Sequence, residues 1–273
     1  MSSPTSQALP PLPFNPTRLR SYVLRLPLFT RISLLVIALF WVATVLPFFD
    51  VIQWGDLRPS AIHLTTLHRL NTYVFLHNGF FHALVNILAL TPLLERFEAE
   101  HGTLTTVLLF IGPLSTLPAG IYLLVEGVIL KKDAGVVGAS VWIFLLFAAE
   151  VIKTYKSHPH FALGKYHIPT WTTPLIACCL VSIFVSNVSF LGHLAGILVG
   201  YLYGLGLLKF LVPPEKILRW IEGKLNLLGR LPHYVSVDQK TFGRYGILPT
   251  NNPEAPIDGA GGAGIGGGIR LGP

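Results

Sequence analysis

The chain has 273 residues, of which 52% are hydrophobic and 12% charged, with a formal net charge of +7 and a mean hydropathy of +0.60. Soluble domains carry roughly 25% charged residues, so this composition excludes an ordinary soluble globular protein and indicates an integral membrane protein. The two cysteines, Cys178 and Cys179, are adjacent within an apolar run and would point to different sides of a helix, which excludes a disulfide framework.

Residues 1–30 read as a tail. Its first half is Pro-rich, and its second half places Arg18, Arg20 and Arg25 beside Leu19, Tyr22, Val23 and Leu26. That mixture predicts a short amphipathic piece at a membrane surface. Six apolar stretches follow, at about 32–52, 74–94, 104–125, 135–152, 172–188 and 190–212, each near the ~20 residues that a bilayer requires. The first two are joined by a long semi-polar connector with Trp54 and Tyr73 as interface anchors. After Pro213 and Pro214, residues Ile217, Ile221, Leu225 and Leu228 recur at helical spacing among Lys216, Arg219 and Lys224. Residues 213–231 are therefore expected to form a basic interfacial helix. Residues 232–273, which end in a Gly-rich run, are expected to be a disordered tail.

Placing both termini in the cytosol puts sixteen of the twenty Lys and Arg residues on that side and leaves Arg58, Arg69, Lys131 and Lys132 on the far side. The net positive charge then reflects topology and attraction to anionic membrane lipids, and no nucleic-acid partner is needed. The predicted architecture is an all-α membrane bundle of six spans over residues 31–212, with cytosolic N- and C-terminal tails.

In that topology the second, fourth and sixth spans start on the far side. They carry His82 and Asn86, Ser140, and His193 respectively, all roughly 5–12 Å below the surface at about 1.5 Å rise per residue. Polar and ionisable residues inside a membrane are costly and functional by default. A serine hydroxyl is a poor nucleophile until a base takes its proton, and His193 is the candidate base. His82 and Asn86, four residues apart on one helical face, can donate to a developing oxyanion together with the Ser140 backbone N–H. No carboxylate lies at this depth to orient the imidazole; Phe144, one turn below Ser140, can stack on it. Gly196, Gly200 and Gly204 recur every fourth residue, a ridge that lets helix backbones approach closely. The chain has no His-Glu-x-x-His run, which a zinc protease would need. His158, His160 and His167 read as a solvated loop, and no metal or cofactor is called for.

His82-x-x-x-Asn86, Gly138-x-Ser140 and His193-x-x-Gly196-x-x-x-Gly200, in this order, resemble the rhomboid intramembrane serine proteases. His77 and Leu94-Glu95-Arg96 are also similar to that family. The resemblance covers about residues 31–212 and implies hydrolysis of peptide bonds in single-span membrane proteins, with Ser140 and His193 as the catalytic dyad. Three positions depart from the family pattern: Val141 replaces the usual Gly after the serine, Phe144 the usual Tyr, and Trp54 and Arg58 are separated rather than adjacent. The tail sequence GRYGILPTN and the Pro-rich start look like the fungal Golgi subgroup. The terminal Gly266-x-Gly268-x-x-Leu271 run is similar to a short box through which some proteins recruit the hexameric AAA segregase of membrane-protein degradation, although Gly264 stands where that box usually opens with an aromatic residue. The alternative to a protease is a catalytically inactive rhomboid-like protein that holds membrane clients for quality control or trafficking; retention of both Ser140 and His193 argues against it.

Overall fold

A computed structural model describes residues 16–185 and 188–240 of the chain. Helix α1, Pro16–Arg25, leads into α2, Leu28–Thr44. Pro27 precedes α2 and its side chain caps nothing, so the first amides of the helix need acceptors from elsewhere. Glu98 supplies them. Its buried carboxylate accepts from the amides of Phe29 and Thr30 at 2.8 and 2.7 Å and from the hydroxyls of Thr30 and Thr103 at 2.8 and 2.7 Å. One side chain thus ties three helices together. Each buried donor left without a partner costs ~1–3 kcal/mol, so Glu98→Ala is expected to lower stability by several kcal/mol and Glu98→Gln by less. Thermal unfolding in detergent checks the ranking; equal melting of the two variants would refute it.

The connector forms α3, Val51–Gly55, and α4, Arg69–Thr72, with short 3-10 turns between and after them. Asp56 is buried and pairs with Arg69 at 2.5 Å and Arg58 at 3.1 Å. An antiparallel bridge between Leu57 and Val136 fastens the connector to the segment that precedes Ser140. Helix α5, Phe80–His101, is followed by α6, Thr103–Phe110, and α7, Pro113–Leu123, which runs on through a π-helical turn, Leu124–Ile129.

The centre of the bundle is α8, Ser140–Ser157, whose Trp142 is fully buried. A two-stranded antiparallel hairpin, β1 His160–Leu163 and β2 Tyr166–Pro169, joins it to α9, Thr173–Phe184. The sequence predicted a loop here. Helix α10, Phe190–Gly204, packs more extensively on α8 than any other element does. The glycine ridge makes that possible. A Cβ on Gly196 would lie 2.5 Å from the Val141 carbonyl oxygen, and one on Gly204 would lie 2.8 Å from that of Ala149; Gly200 faces the Leu145 carbonyl more tightly still.

Among the described residues, two helical stretches, Phe80–His101 and Thr103–Ile129, are long and apolar enough to cross a membrane by themselves. A third qualifies if α10 is joined to the helical stretch Lys209–Leu225, from which it bends by 88°. Helices α2 and α9 are apolar but shorter. Leu35, Leu39, Val85, Leu88, Ile183 and Phe184 are all exposed, an apolar surface that suits lipid rather than water.

The fourth predicted span starts too early: residues 135–139 are not helical, and Val136 forms the bridge to Leu57 of the connector. After α11, Glu215–Leu225, and α12, Leu227–Arg230, the predicted disordered tail also gives way to order. The His233 carbonyl accepts from Leu28 N at 2.9 Å and the Val235 carbonyl from Thr103 N at 2.8 Å, while Tyr234 and Val237 are buried. The amide-bearing starts of α2 and α6 draw this strap back onto the core. The Gly266, Gly268 and Leu271 box lies outside the described residues.

Candidate active site

The approach to Ser140 is held by its backbone. Gly138 has φ +124°, and a Cβ there would sit 2.9 Å from His82 Nε2, so both conformation and space demand glycine. Its amide donates to the Tyr73 carbonyl at 2.9 Å. The next amide, of Ala139, donates to His77 Nε2 at 3.2 Å, and His77 Nδ1 lies 3.2 Å from the Phe75 carbonyl oxygen. With both contacts made, His77 carries its proton on Nδ1. On the connector side, Ser60 binds Asp133 through both its amide, 2.8 Å, and its hydroxyl, 2.6 Å. These bonds hold the Asp133 carboxyl below the usual carboxylate range, which keeps this clasp closed at neutral pH.

Helix α8 then begins, with Ser140 as its first residue. On α10, the Ser189 side chain caps the helix by accepting from Gly192 N at 3.0 Å, and His193 follows one turn in. Ser140 Oγ lies 2.9 Å from His193 Nε2. The imidazole is 2% exposed, and its Nδ1 makes no hydrogen bond with a described residue. Among the described residues no carboxylate pairs with it. The Phe144 ring packs on it instead, centroids 4.4 Å apart and planes tilted by 33°. With Nδ1 protonated, Nε2 is free to accept the serine proton.

Helix α5 brings the other two polar groups. The His82 ring covers Gly138 and meets His77 edge-on at 4.8 Å. Asn86 differs in detail from the sequence expectation: its Nδ2 donates back to the His82 carbonyl at 2.8 Å, and its buried Oδ1 has no partner among the described residues. That orientation is chemically forced, because turning the amide over would set two carbonyl oxygens against each other. An amide has two N–H bonds, so one remains for a second acceptor. Ser140, His193, His82 and Asn86 all line one cavity of about 680 Å³. Its apolar walls come from Phe81 and Val85 on α5, Phe147 on α8, Val181 on α9 and Val185 just past its end.

His77 had no mechanistic role in the sequence reading and proves to anchor the residue before the serine. Its spacing from His82 carries no helical signal, because the bond depends on the path of a non-helical connector. His160 and His167 lie on the hairpin beyond the far end of α8, and among the described residues no group of three His, Cys, Asp or Glu side chains is placed to hold a metal ion.

Comparison with known proteins gives the family. A family model described as a rhomboid domain matches residues 64–210. The chain is 72% identical over 243 residues to "Rhomboid-type serine protease B" of Aspergillus fumigatus, covering 89% of each chain. It is 56% identical over 263 residues to "Rhomboid-type serine protease 2" of Neurospora crassa, covering 95% of each. A protein of the same name from Debaryomyces hansenii is 32% identical over 218 residues, covering 76% of each. With a family model over more than half of its length and relatives this similar along most of it, the chain is an integral membrane protein that belongs to the rhomboid family of serine proteases.

Proposed function

We propose that Ser140 is the nucleophile and His193 the general base of an intramembrane endopeptidase that cuts membrane proteins in or near their transmembrane segments. The observation that carries this is the 2.9 Å contact between the two side chains at one cavity. As Ser140 Oγ attacks the scissile carbonyl carbon, its proton passes to His193 Nε2. The carbonyl oxygen becomes an oxyanion, met by the Ser140 backbone N–H, the free N–H of Asn86 and His82. The C–N bond then breaks and His193 protonates the leaving amine. Water next attacks the acyl-enzyme, giving one proton to His193, and the acid leaves as Ser140 takes the proton back. A helical substrate shields its carbonyls by hydrogen bonding, so it must unwind locally before attack.

A serine-directed fluorophosphonate probe tests the assignment and separates a protease from a client-binding protein: labelling that is lost in Ser140→Ala supports it, and no labelling of the wild-type protein overturns it. His82→Ala and Asn86→Ala are each expected to lower kcat by roughly 10²–10³ if they serve the oxyanion. Turnover at the wild-type rate in both variants would assign them to packing.

The wider reading is a six-span core over residues 31–212 with both termini in the cytosol. The distribution of basic residues supports it, as does the presence of a helix in each of the six apolar stretches. The Golgi is the proposed location, and α11 the proposed interfacial helix. At 88° to α10, the helical stretch Lys209–Leu225 runs along the membrane plane if α10 crosses it. Trp220 and Ile217 on α11 are exposed, as an interfacial helix requires. For the C-terminal box, the proposed partner is a cytosolic AAA segregase, to which cleavage products would be handed. Pull-down with the tail peptide is expected to recover the ATPase, and Leu271→Ala to abolish recovery. Equal recovery by both peptides, or by neither, would leave the tail as a linker.

A further inference from the structure

The hairpin between α8 and α9 is amphipathic in a way the established chemistry does not use. Its register pairs Phe161 with Ile168, Ala162 with His167, and His160 with Pro169. Side chains alternate faces along a strand, so Phe161, Tyr166 and Ile168 fall on one face and His160, Ala162 and His167 on the other. Phe161 is 38% and Tyr166 64% exposed, and Tyr155 and Trp171, which flank the hairpin in sequence, are 38% and 40% exposed. The base is rigid. Thr170 N donates to the Pro159 carbonyl at 2.9 Å and Thr170 Oγ1 to the His158 carbonyl at 2.6 Å. The stretch of chain that carries it has charge of one sign. No Asp or Glu occurs between Glu150 and Glu215, and exposed Lys156 and Lys165 have no carboxylate partner among the described residues. Lys165 Nζ sits 5.5 Å from the Tyr166 ring centroid.

The hairpin leaves the C-terminal end of α8, the end opposite Ser140, and returns into apolar α9. In an integral membrane protein that places it at the lipid–water boundary. Exposed aromatic side chains prefer that depth, and unpaired lysines there attract anionic headgroups. We propose that the hairpin is a lipid-binding element. Phe161, Tyr166 and Ile168 seat at the boundary of headgroup and acyl chain, and Lys156 and Lys165 hold the phosphate of an anionic phospholipid. The inference rests on membrane integration alone and does not depend on the catalytic assignment.

The test uses the full chain in nanodiscs of phosphatidylcholine with or without phosphatidylserine. Spin labels are placed one at a time by His160→Cys, Phe161→Cys, Tyr166→Cys and His167→Cys in a Cys178→Ser, Cys179→Ser background. Labels at 161 and 166 are expected to favour collision with oxygen, and labels at 160 and 167 with a water-soluble nickel chelate. In parallel, native mass spectrometry should show Lys156→Gln and Lys165→Gln each lowering phosphatidylserine retention about fivefold, while cleavage in detergent stays unchanged. Equal nickel accessibility at all four positions would overturn the proposal, as would phosphatidylserine retention unaffected by either lysine substitution. Shielding of 161 and 166 in lipid-free detergent, lost on dilution, would overturn it by assigning the face to a second copy of the chain.

Discussion

Replacing Ser140 or His193 with alanine is expected to abolish cleavage of a transmembrane substrate while insertion and folding are kept. The expected fall is on the order of 10⁶ in kcat, as for nucleophile or base removal in other serine proteases. Ser140→Ala removes the atom that forms the acyl bond. His193→Ala removes the group that takes the serine proton; among the described residues no carboxylate lines the cavity to replace it, and the His82 imidazole is proposed to face the oxyanion rather than the serine proton. The two residues work as a unit, so the double variant should be no worse than either single one. The fold is expected to be kept, with a small loss of stability in His193→Ala, which gives up the packing of the imidazole on Phe144 of α8 as well as the 2.9 Å contact with Ser140. Single-turnover cleavage and thermal unfolding measured on the same preparations separate the two effects. Cleavage by Ser140→Ala above one-hundredth of the wild-type rate would sink the assignment. So would a melting temperature so low that loss of activity reflects unfolding.

The pairing of Ser140 with His193, seen as a 2.9 Å contact, was legible because polar residues stand out against apolar helices and their depth in the predicted spans is arithmetic on positions. The glycine ridge was legible for a similar reason, since a period of four needs no knowledge of the partner. What was hidden depends on non-helical backbone. Residues 135–139 are as apolar as the helix that follows, so hydropathy assigned them to a span. Only the bridge of Val136 to Leu57 and the His77 contact to Ala139 N show a non-helical approach that aims the serine. The strap at residues 232–240 was missed because it acts through the carbonyls of His233 and Val235, and every residue has a carbonyl. The hairpin was missed because strands of four residues are too short to show an alternating pattern against a background of loop histidines. Glu98 carried no role in the sequence reading. Its role as the acceptor for the start of α2 depends on a contact across nearly 70 positions of chain.

Gly200→Val is expected to cost nearly as much activity as loss of the base, although residue 200 touches no substrate. Along α8 the carbonyls of Val141, Leu145 and Ala149 succeed one another every fourth residue, and Gly196, Gly200 and Gly204 meet them in register. At Gly200 a Cβ would overlap the Leu145 carbonyl and lie 2.8 Å from the Ala148 Cβ. Two rigid backbones cannot yield as a flexible side chain can, so α10 must move away from α8. Overpacking of this kind costs ~1–3 kcal/mol in stability. The larger effect is geometric. His193 lies two turns from Gly200 on the same helix, and a shift of about 1 Å between reacting groups can cost 10²-fold in rate. Gly200→Ala should therefore lower kcat by about 10²-fold with modest loss of stability, and Gly200→Val should bring cleavage close to background. Gly120→Ala is the control. A Cβ there meets nothing within 4 Å, so the variant should cleave normally and melt no lower, given the better helix propensity of alanine. The comparison is made by fluorophosphonate labelling rate and thermal unfolding side by side. If Gly200→Ala labels as fast as the wild-type protein, the spacing of α8 and α10 does not set the Ser140–His193 distance, and the ridge is packing without consequence for catalysis.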